Sequence, residues 1–425
     1  MNSESDDATG TILPASDLPK HDGWNRYRQC AMVMTLARQR HTMKWAIVLI
    51  LFASACSTTT STGATTHSVG KAVPVASTEP RSSADTTFSA ATTATESPTT
   101  GSPTTTHLTT VTLPRPDGPS AVGVTPSGFP DTEVFYPAVA STGVGSHHYI
   151  DARWATAAGL DPAQMDRVLS SAQQDATPEQ TTSPRPIVVI MPGWRSVIAF
   201  ATSLAEELAS HGYVVLMQQT DVVTEATHES STAEDRINRT ALLRHLLDFI
   251  HGRSFANLVG PIDLDRIAVG GHSYAGSIAF DANITDRRVA AVFDLDGSVR
   301  AAQTRPIPTR PSLIVTTVND ATTFDPLLSD FATRSPNIVA VGITNALHVD
   351  VTDAASIPST LGTSVYSTLL GSIGSAGTIE TSTIVLRFLD TALGADRRVP
   401  TTDELLHGLS QVTTDPFKLG PPPTG

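Results

Sequence analysis

The sequence predicts an α/β fold with a mostly parallel central sheet flanked by helices, and three observations predict it. Short apolar runs recur without polar alternation: PIVVIM at Pro186–Met191, YVVLM at Tyr213–Met217, VAAVFDL at Val289–Leu295, SLIVT at Ser312–Thr316 and IVAV at Ile338–Val341. Runs of this length fit strands buried on both faces. Segments of helical spacing lie between them, as in Ala233–Ile250, where Ile237, Leu242, Leu243, Leu246, Leu247 and Ile250 recur on one side. The order strand, helix, strand then repeats along the chain, which is the signature of an open parallel sheet covered on both sides.

The N-terminal part is of a different kind. Residues 1–56 read as a polar extension followed by an export signal. Arg38, Arg40 and Lys44 flank the apolar run Trp45–Ala55, which is too short to span a bilayer but has the length of a secretory core. Small residues Ala53, Ser54 and Ala55 lead into Cys56. This arrangement resembles a bacterial lipoprotein signal. The resemblance implies lipidation of Cys56 and a membrane-anchored protein on the outer side of the cytoplasmic membrane. Simple secretion is the other reading. Met32, Met34 and Met43 are each candidate starts.

Residues 57–112 are dominated by Thr, Ser and Ala, with scattered Pro. Such a segment lacks the apolar area that offsets the entropy of ordering, so a disordered tether is expected. The folded domain is expected at 113–400. Within it, Thr132–Tyr136 reads as a first strand, and Ala152–Ser170 as mostly helical, with Asp161-Pro162 suited to a helix start. Val197–Ser210 is a helix ended by His211-Gly212, Asp265–Gly270 is a strand, Ser277–Ala282 is a short helix, and Thr383–Leu393 is a final helix with an apolar stripe. Residues 401–425 read as a polar tail.

Composition excludes several classes. The formal net charge is -13, and the folded part has no Lys/Arg-rich run, which argues against nucleic acid as a partner. The two cysteines, Cys30 and Cys56, both precede the domain, so it has no disulfide framework. No HExxH or Walker-type loop is present, and no metal or organic cofactor is expected.

The chemistry concentrates at Gly270-Gly271-His272-Ser273-Tyr274-Ala275-Gly276, between a strand and a helix. A nucleophile elbow needs this context: a sharp turn, small neighbours, and a helix N-terminus beside the serine. Ser273 is therefore the candidate nucleophile, although Ala275 stands where glycine is usual. In such folds the acid and then the histidine follow the nucleophile along the chain. Only His348 and His407 follow it here. His348 lies just past a strand, at the sheet edge that hosts active sites, and is the candidate base. His407 lies in the polar tail. Asp296 and Asp320 both end strands and fit the acid about equally, whereas Asp294 sits inside a strand as a buried structural group. The oxyanion donors expected are the N–H groups of Tyr274 and of Trp194, the latter in the loop after PIVVIM. Tyr274, Trp194 and the segment Asp221–Ser231 are candidates to line the acyl pocket.

The strings ELASHGYVVLMQQTD, IDLDRIAVGGHSYAGS, AAVFDLDG and LHVDVTD resemble the platelet-activating factor acetylhydrolase family, within the α/β-hydrolase superfamily. They are also similar to cutinase-like polyester hydrolases. The first resemblance implies an α/β-hydrolase fold and selects Asp296 as acid, while the cutinase-like relatives would select Asp320. It implies a serine carboxylic-ester hydrolase acting through an acyl-enzyme on short-chain or lipid-like esters. Pro192 replaces the family's usual histidine. A catalytically inactive surface-tethered binding protein, or a peptidase or acyltransferase with the same triad, are the alternative readings.

Overall fold

The computed structural model describes residues 110–220, 233–297, 307–318 and 326–417. These fall in one unit of the chain, residues 100–425. Cys30, Cys56, the expected export signal and residues 57–109 of the expected tether lie outside the described residues, as do Asp221–Ser231 and Asp320.

The described chain begins with β1 (Val111–Thr112), β2 (Ala121–Pro126), β3 (Thr132–Ala138) and β4 (Gly145–His148). Two short helices follow, α1 (Ala152–Ala157) and α2 (Pro162–Met165), then β5 (Val168–Gln174) and β6 (Arg185–Met191). A 3-10 turn at Ile198–Ala201 leads into α3 (Thr202–Ser210), followed by β7 (Val214–Gln218), α4 (Ala233–Ile250) and α5 (Arg253–Val259). Next come β8 (Ile262–His272), α6 (Tyr274–Thr285), β9 (Val289–Leu295), β10 (Ser312–Thr317), α7 (Pro326–Arg334) and β11 (Ile338–Ile343). After short 3-10 turns, the chain ends in α8 (Ser375–Ala392), α9 (Thr402–Leu406) and β12 (Val412–Thr413).

Among the described residues all the strands join one sheet in the order β1-β5-β2-β3-β7-β6-β8-β9-β10-β11-β12, with β4 paired to β5. The run from β7 to β11 is parallel, and the antiparallel pairs lie toward its edges. Alternation along β6 shows why its whole run is apolar. Val188 and Ile190 face one core with Leu208 of α3 and Phe388 of α8. Ile187, Val189 and Met191 face the other, with Leu246 of α4 and Ile278 of α6. Burial of each such side chain contributes about 1.5–3 kcal/mol. The two helical layers therefore hold the sheet between them.

Four segments differ from the sequence reading, the first being Val111–Thr112, expected at the end of the tether but paired with β5 as β1. Within Ala152–Ser170 the helical part is split in two and stops early: Gly159 turns the chain at φ +74, Asp161 caps α2 by accepting from the Ala163 N–H, and Val168 opens a strand. The helix expected at Val197–Ser210 starts with a 3-10 turn, and α-geometry begins at Thr202. The segment expected as a polar tail holds α9, whose capping box joins Thr401 and Glu404, and β12, which extends the sheet beside β11.

Candidate active site

Strand β8 sits at the sheet's centre and delivers Ser273 at its carboxyl end. Ser273 has φ 58, ψ -123, a left-handed conformation that costs a non-glycine residue about 1–3 kcal/mol and recurs at functional turns. Its N–H donates to the Leu295 carbonyl at 2.8 Å, and its own carbonyl accepts from Gly276 N–H at 3.0 Å. The turn is thus fastened to β9 on one side and to α6 on the other.

The space around this turn explains the small residues. A Cβ on Gly271 would stand 2.2 Å from the Met191 carbonyl oxygen and 2.8 Å from the Ala275 Cβ. Gly271 therefore leaves the room that Ala275 fills, so alanine is tolerated there. A Cβ on Gly276 would stand 1.8 Å from Asp294 Oδ1. Gly276, like Gly271, must lack a side chain. Asp294 itself is fully buried and packs between Gly276 and Gly297.

Ser273, His348 and Asp296 meet in one hydrogen-bonded line. His348 Nε2 lies 2.9 Å from Ser273 Oγ, and His348 Nδ1 lies 2.7 Å from Asp296 Oδ2. A proton on Nδ1 donates to the carboxylate and leaves Nε2 to accept from the serine hydroxyl. The second oxygen of Asp296 accepts from the Thr317 N–H at 2.7 Å, and the backbone N–H of Asp296 donates to the Val315 carbonyl. Two anchors on β10 thus fix the carboxylate, which is only 3% exposed. His407 stands elsewhere, after α9, where its carbonyl accepts from Arg387.

The loop that carries His348 is held by buried acids. Asp350 accepts from the Leu347 and Gly371 N–H groups, both at 2.7 Å. Asp353 accepts from the Ser203 N–H at the open N-terminus of α3. Burial pushes the Asp353 carboxyl up to about 7, against the pull of its bonds to Ser203. Glu206, one turn along α3, accepts from the Ser171 and Ala172 N–H groups and is raised to about 7 by its burial.

Sequence reasoning gives no role to His272, yet it touches the base. Its Nε2 donates to the His348 carbonyl at 2.7 Å, and the two rings lie 4.5 Å apart. Burial, with the neighbouring His348 next, lowers its pKa to about 3, so the ring is neutral. The only hint in the sequence is its place directly before Ser273.

The expected oxyanion donors lie around the same serine. Tyr274 begins α6, so its N–H is one of the helix's terminal donors. Gly193 presses on the nucleophile from the loop after β6: a Cβ there would stand 3.0 Å from Ser273 Cβ. Trp194 follows it, half-buried, and Arg195 takes φ +57 with its guanidinium over the Trp194 ring. This geometry can activate a serine, accept its proton and hold a developing oxyanion, as acyl transfer needs.

Comparison with known proteins agrees with the fold. Residues 174–329 match the PETase family model, described as PET hydrolase-like. That segment contains Ser273, Tyr274, Trp194 and Asp296 and ends before His348. A ferulic acid esterase from Streptomyces cinnamoneus has a similar structure, with a TM-score of 0.53, 20% sequence identity, and coverage of 71% of this chain and 98% of that chain. At that identity the likeness establishes the α/β-hydrolase fold. No curated protein matches the chain.

Proposed function

We propose that this carboxylic-ester hydrolase of the α/β-hydrolase fold works through an acyl-enzyme on Ser273. The observation that carries the reading is the unbroken line Asp296–His348–Ser273, at 2.7 and 2.9 Å. In the first step Ser273 Oγ attacks the ester carbonyl while His348 Nε2 takes its proton. The negative charge moves to the carbonyl oxygen, where the N–H groups of Tyr274 and Trp194 receive it. The C–O bond then breaks, and His348 passes its proton to the leaving alcohol. Water adds to the acyl group, gives a proton to His348, and releases the acid as Ser273 regains its hydrogen. Asp296 holds the imidazole in one tautomer and stabilises the imidazolium.

The substrates proposed are short-chain or lipid-like esters, and the PET hydrolase-like match adds aromatic polyesters to the panel. Ester panels with acyl chains from two carbons upward, run beside a feruloyl ester, amides and phospholipids, rank these classes. Ser273→Ala is expected to abolish turnover on all of them while keeping its thermal transition. Steady hydrolysis of p-nitrophenyl acetate by that variant, above the uncatalysed rate, would refute the assignment.

Export and attachment at Cys56 belong to the same proposal. Support comes from the short apolar run Trp45–Ala55 ending at a cysteine. Expressed in a bacterial host, the full chain is expected to partition with membranes, and Cys56→Ala to release it. Equal membrane partition of both would contradict lipid attachment.

A further inference from the structure

We infer that Arg239 is a positioning residue for the oxyanion hole, a role that rests on the ester-hydrolase reading of the same site. Arg239 lies on α4 with its side chain only 4% exposed. Its Nη1 donates to the Pro192 carbonyl at 3.0 Å. Its guanidinium stands 5.3 Å from the centre of the Tyr274 ring. Asp235, one turn earlier on α4, accepts from Nε at 3.1 Å and fixes the plane of the fork.

These contacts reach both sides of the hole. Tyr274 supplies one donor from the start of α6. The other donor sits on the peptide between Gly193 and Trp194, one peptide beyond the carbonyl that Arg239 holds. Residues 192–196 belong to no helix or strand. Gly193 has no Cβ to restrict its own torsions, and a rotation there would swing the Trp194 N–H away from the reacting oxygen. Holding the Pro192 carbonyl fixes the peptide plane on one side of Gly193. A charged donor makes the stronger class of hydrogen bond, and burial shields it from water. The same cation lies against the Tyr274 ring, an attraction that ties the two halves together through one side chain.

Helix α4 has a separate ion pair to α6. Arg236, also buried on that helix, already forms a forked pair with Asp281 of α6. The Arg239 contact is directed instead at the loop beside the nucleophile. Catalytic donors must be held to within about 0.5 Å, so a loosened loop is expected to weaken the transition state more than the bound substrate.

The test uses the full chain carrying Arg239→Met, which keeps the apolar stem and removes the fork. With p-nitrophenyl acetate, kcat is expected to fall about 10- to 100-fold, less than the loss of a donor itself, and KM to stay within about threefold. Affinity for an aryl boronic acid, which forms a tetrahedral anion on Ser273, is expected to fall by a similar factor. Arg239→Lys, with one point donor, is expected to fall between the wild type and Arg239→Met. Thermal unfolding of each variant is measured alongside. Unchanged kcat in folded Arg239→Met, a rise in KM alone, or unchanged boronate affinity would overturn the inference. If Arg239→Met does not fold, Arg239→Lys decides by the same criteria. A wild-type protein that neither hydrolyses the ester nor binds the boronate would instead overturn the ester-hydrolase reading, and this inference with it.

Discussion

His272 donates from Nε2 to the backbone carbonyl of His348 at 2.7 Å, so the residue before the nucleophile holds the base by its main chain. The contact joins the elbow to a loop 75 residues away in sequence from Ser273. Because the ring is neutral, it positions the carbonyl without placing a cation beside His348.

Removing that ring is expected to loosen the base. His272→Ala deletes a buried hydrogen bond of about 0.5–1.5 kcal/mol and leaves a cavity next to His348. We expect kcat/KM for a short-chain ester to fall about tenfold or more, with the loss mainly in kcat. Steady-state kinetics check this, and an unchanged kcat in a folded variant would remove His272 from the positioning of His348.

Asp296→Asn preserves size but allows the wrong tautomer of His348. A carboxylate-to-amide change at this place in a triad costs about 10⁴ in kcat. The expected loss is of that order, with little change in thermal stability, whereas Asp320→Asn is expected to be near wild type. A severe loss in the Asp320 variant with a mild one in the Asp296 variant would transfer the acid role.

Gly276 and Ala275 are expected to behave in opposite ways. Gly276→Ala drives a Cβ to within 1.8 Å of Asp294 Oδ1, so the elbow or the buried acid must shift. Loss of soluble protein or a clear fall in Tm is the expected outcome. Ala275→Gly creates no clash and costs about 0.5–1 kcal/mol as a helix substitution. Thermal melts of the pair test the assignment of the steric constraint to Gly276.

Glu206 gives a pH signature. Its folded pKa is raised from 4.5 to about 7 by burial. The folded state therefore binds a proton more tightly than the unfolded chain does. The stability this provides is full below the unfolded value and is lost as pH rises through 7. Glu206→Gln removes this contribution and leaves that of Asp353. The variant's stability relative to wild type is expected to rise between pH 4.5 and 7, at up to about 1.4 kcal/mol per pH unit, and to level off above. Denaturant melts across that range measure it. Parallel curves for the two proteins would show that Glu206 titrates normally.

The parts of this fold that the sequence discloses are those governed by burial on both faces. Strands β6 to β11 read as apolar runs because helices cover both sides of them, and no polar face is left to blur the pattern. Strand β5 is not legible in the same way. Its residues Ser170, Ser171, Gln173 and Gln174 are polar, and its place is set by pairing with β1, β2 and β4. Strand β12 is two residues long and depends on β11. Within the site, chain order singles out His348, but strand ends alone leave Asp296 and Asp320 equal. Asp296 reaches His348 Nδ1 at 2.7 Å from a backbone turn at φ +51 with two bonds to β10, which no local pattern encodes. The contacts of Arg239 with Pro192 and of His272 with His348 are long-range in the chain and equally invisible in sequence.

The most direct test of the central claim is the intact mass of the protein after reaction with a fluorophosphonate, followed by peptide mapping. One adduct per wild-type chain is expected, located on Ser273, with no adduct on Ser273→Ala. Labelling that persists in Ser273→Ala, or a folded wild-type protein that takes no label, would contradict it.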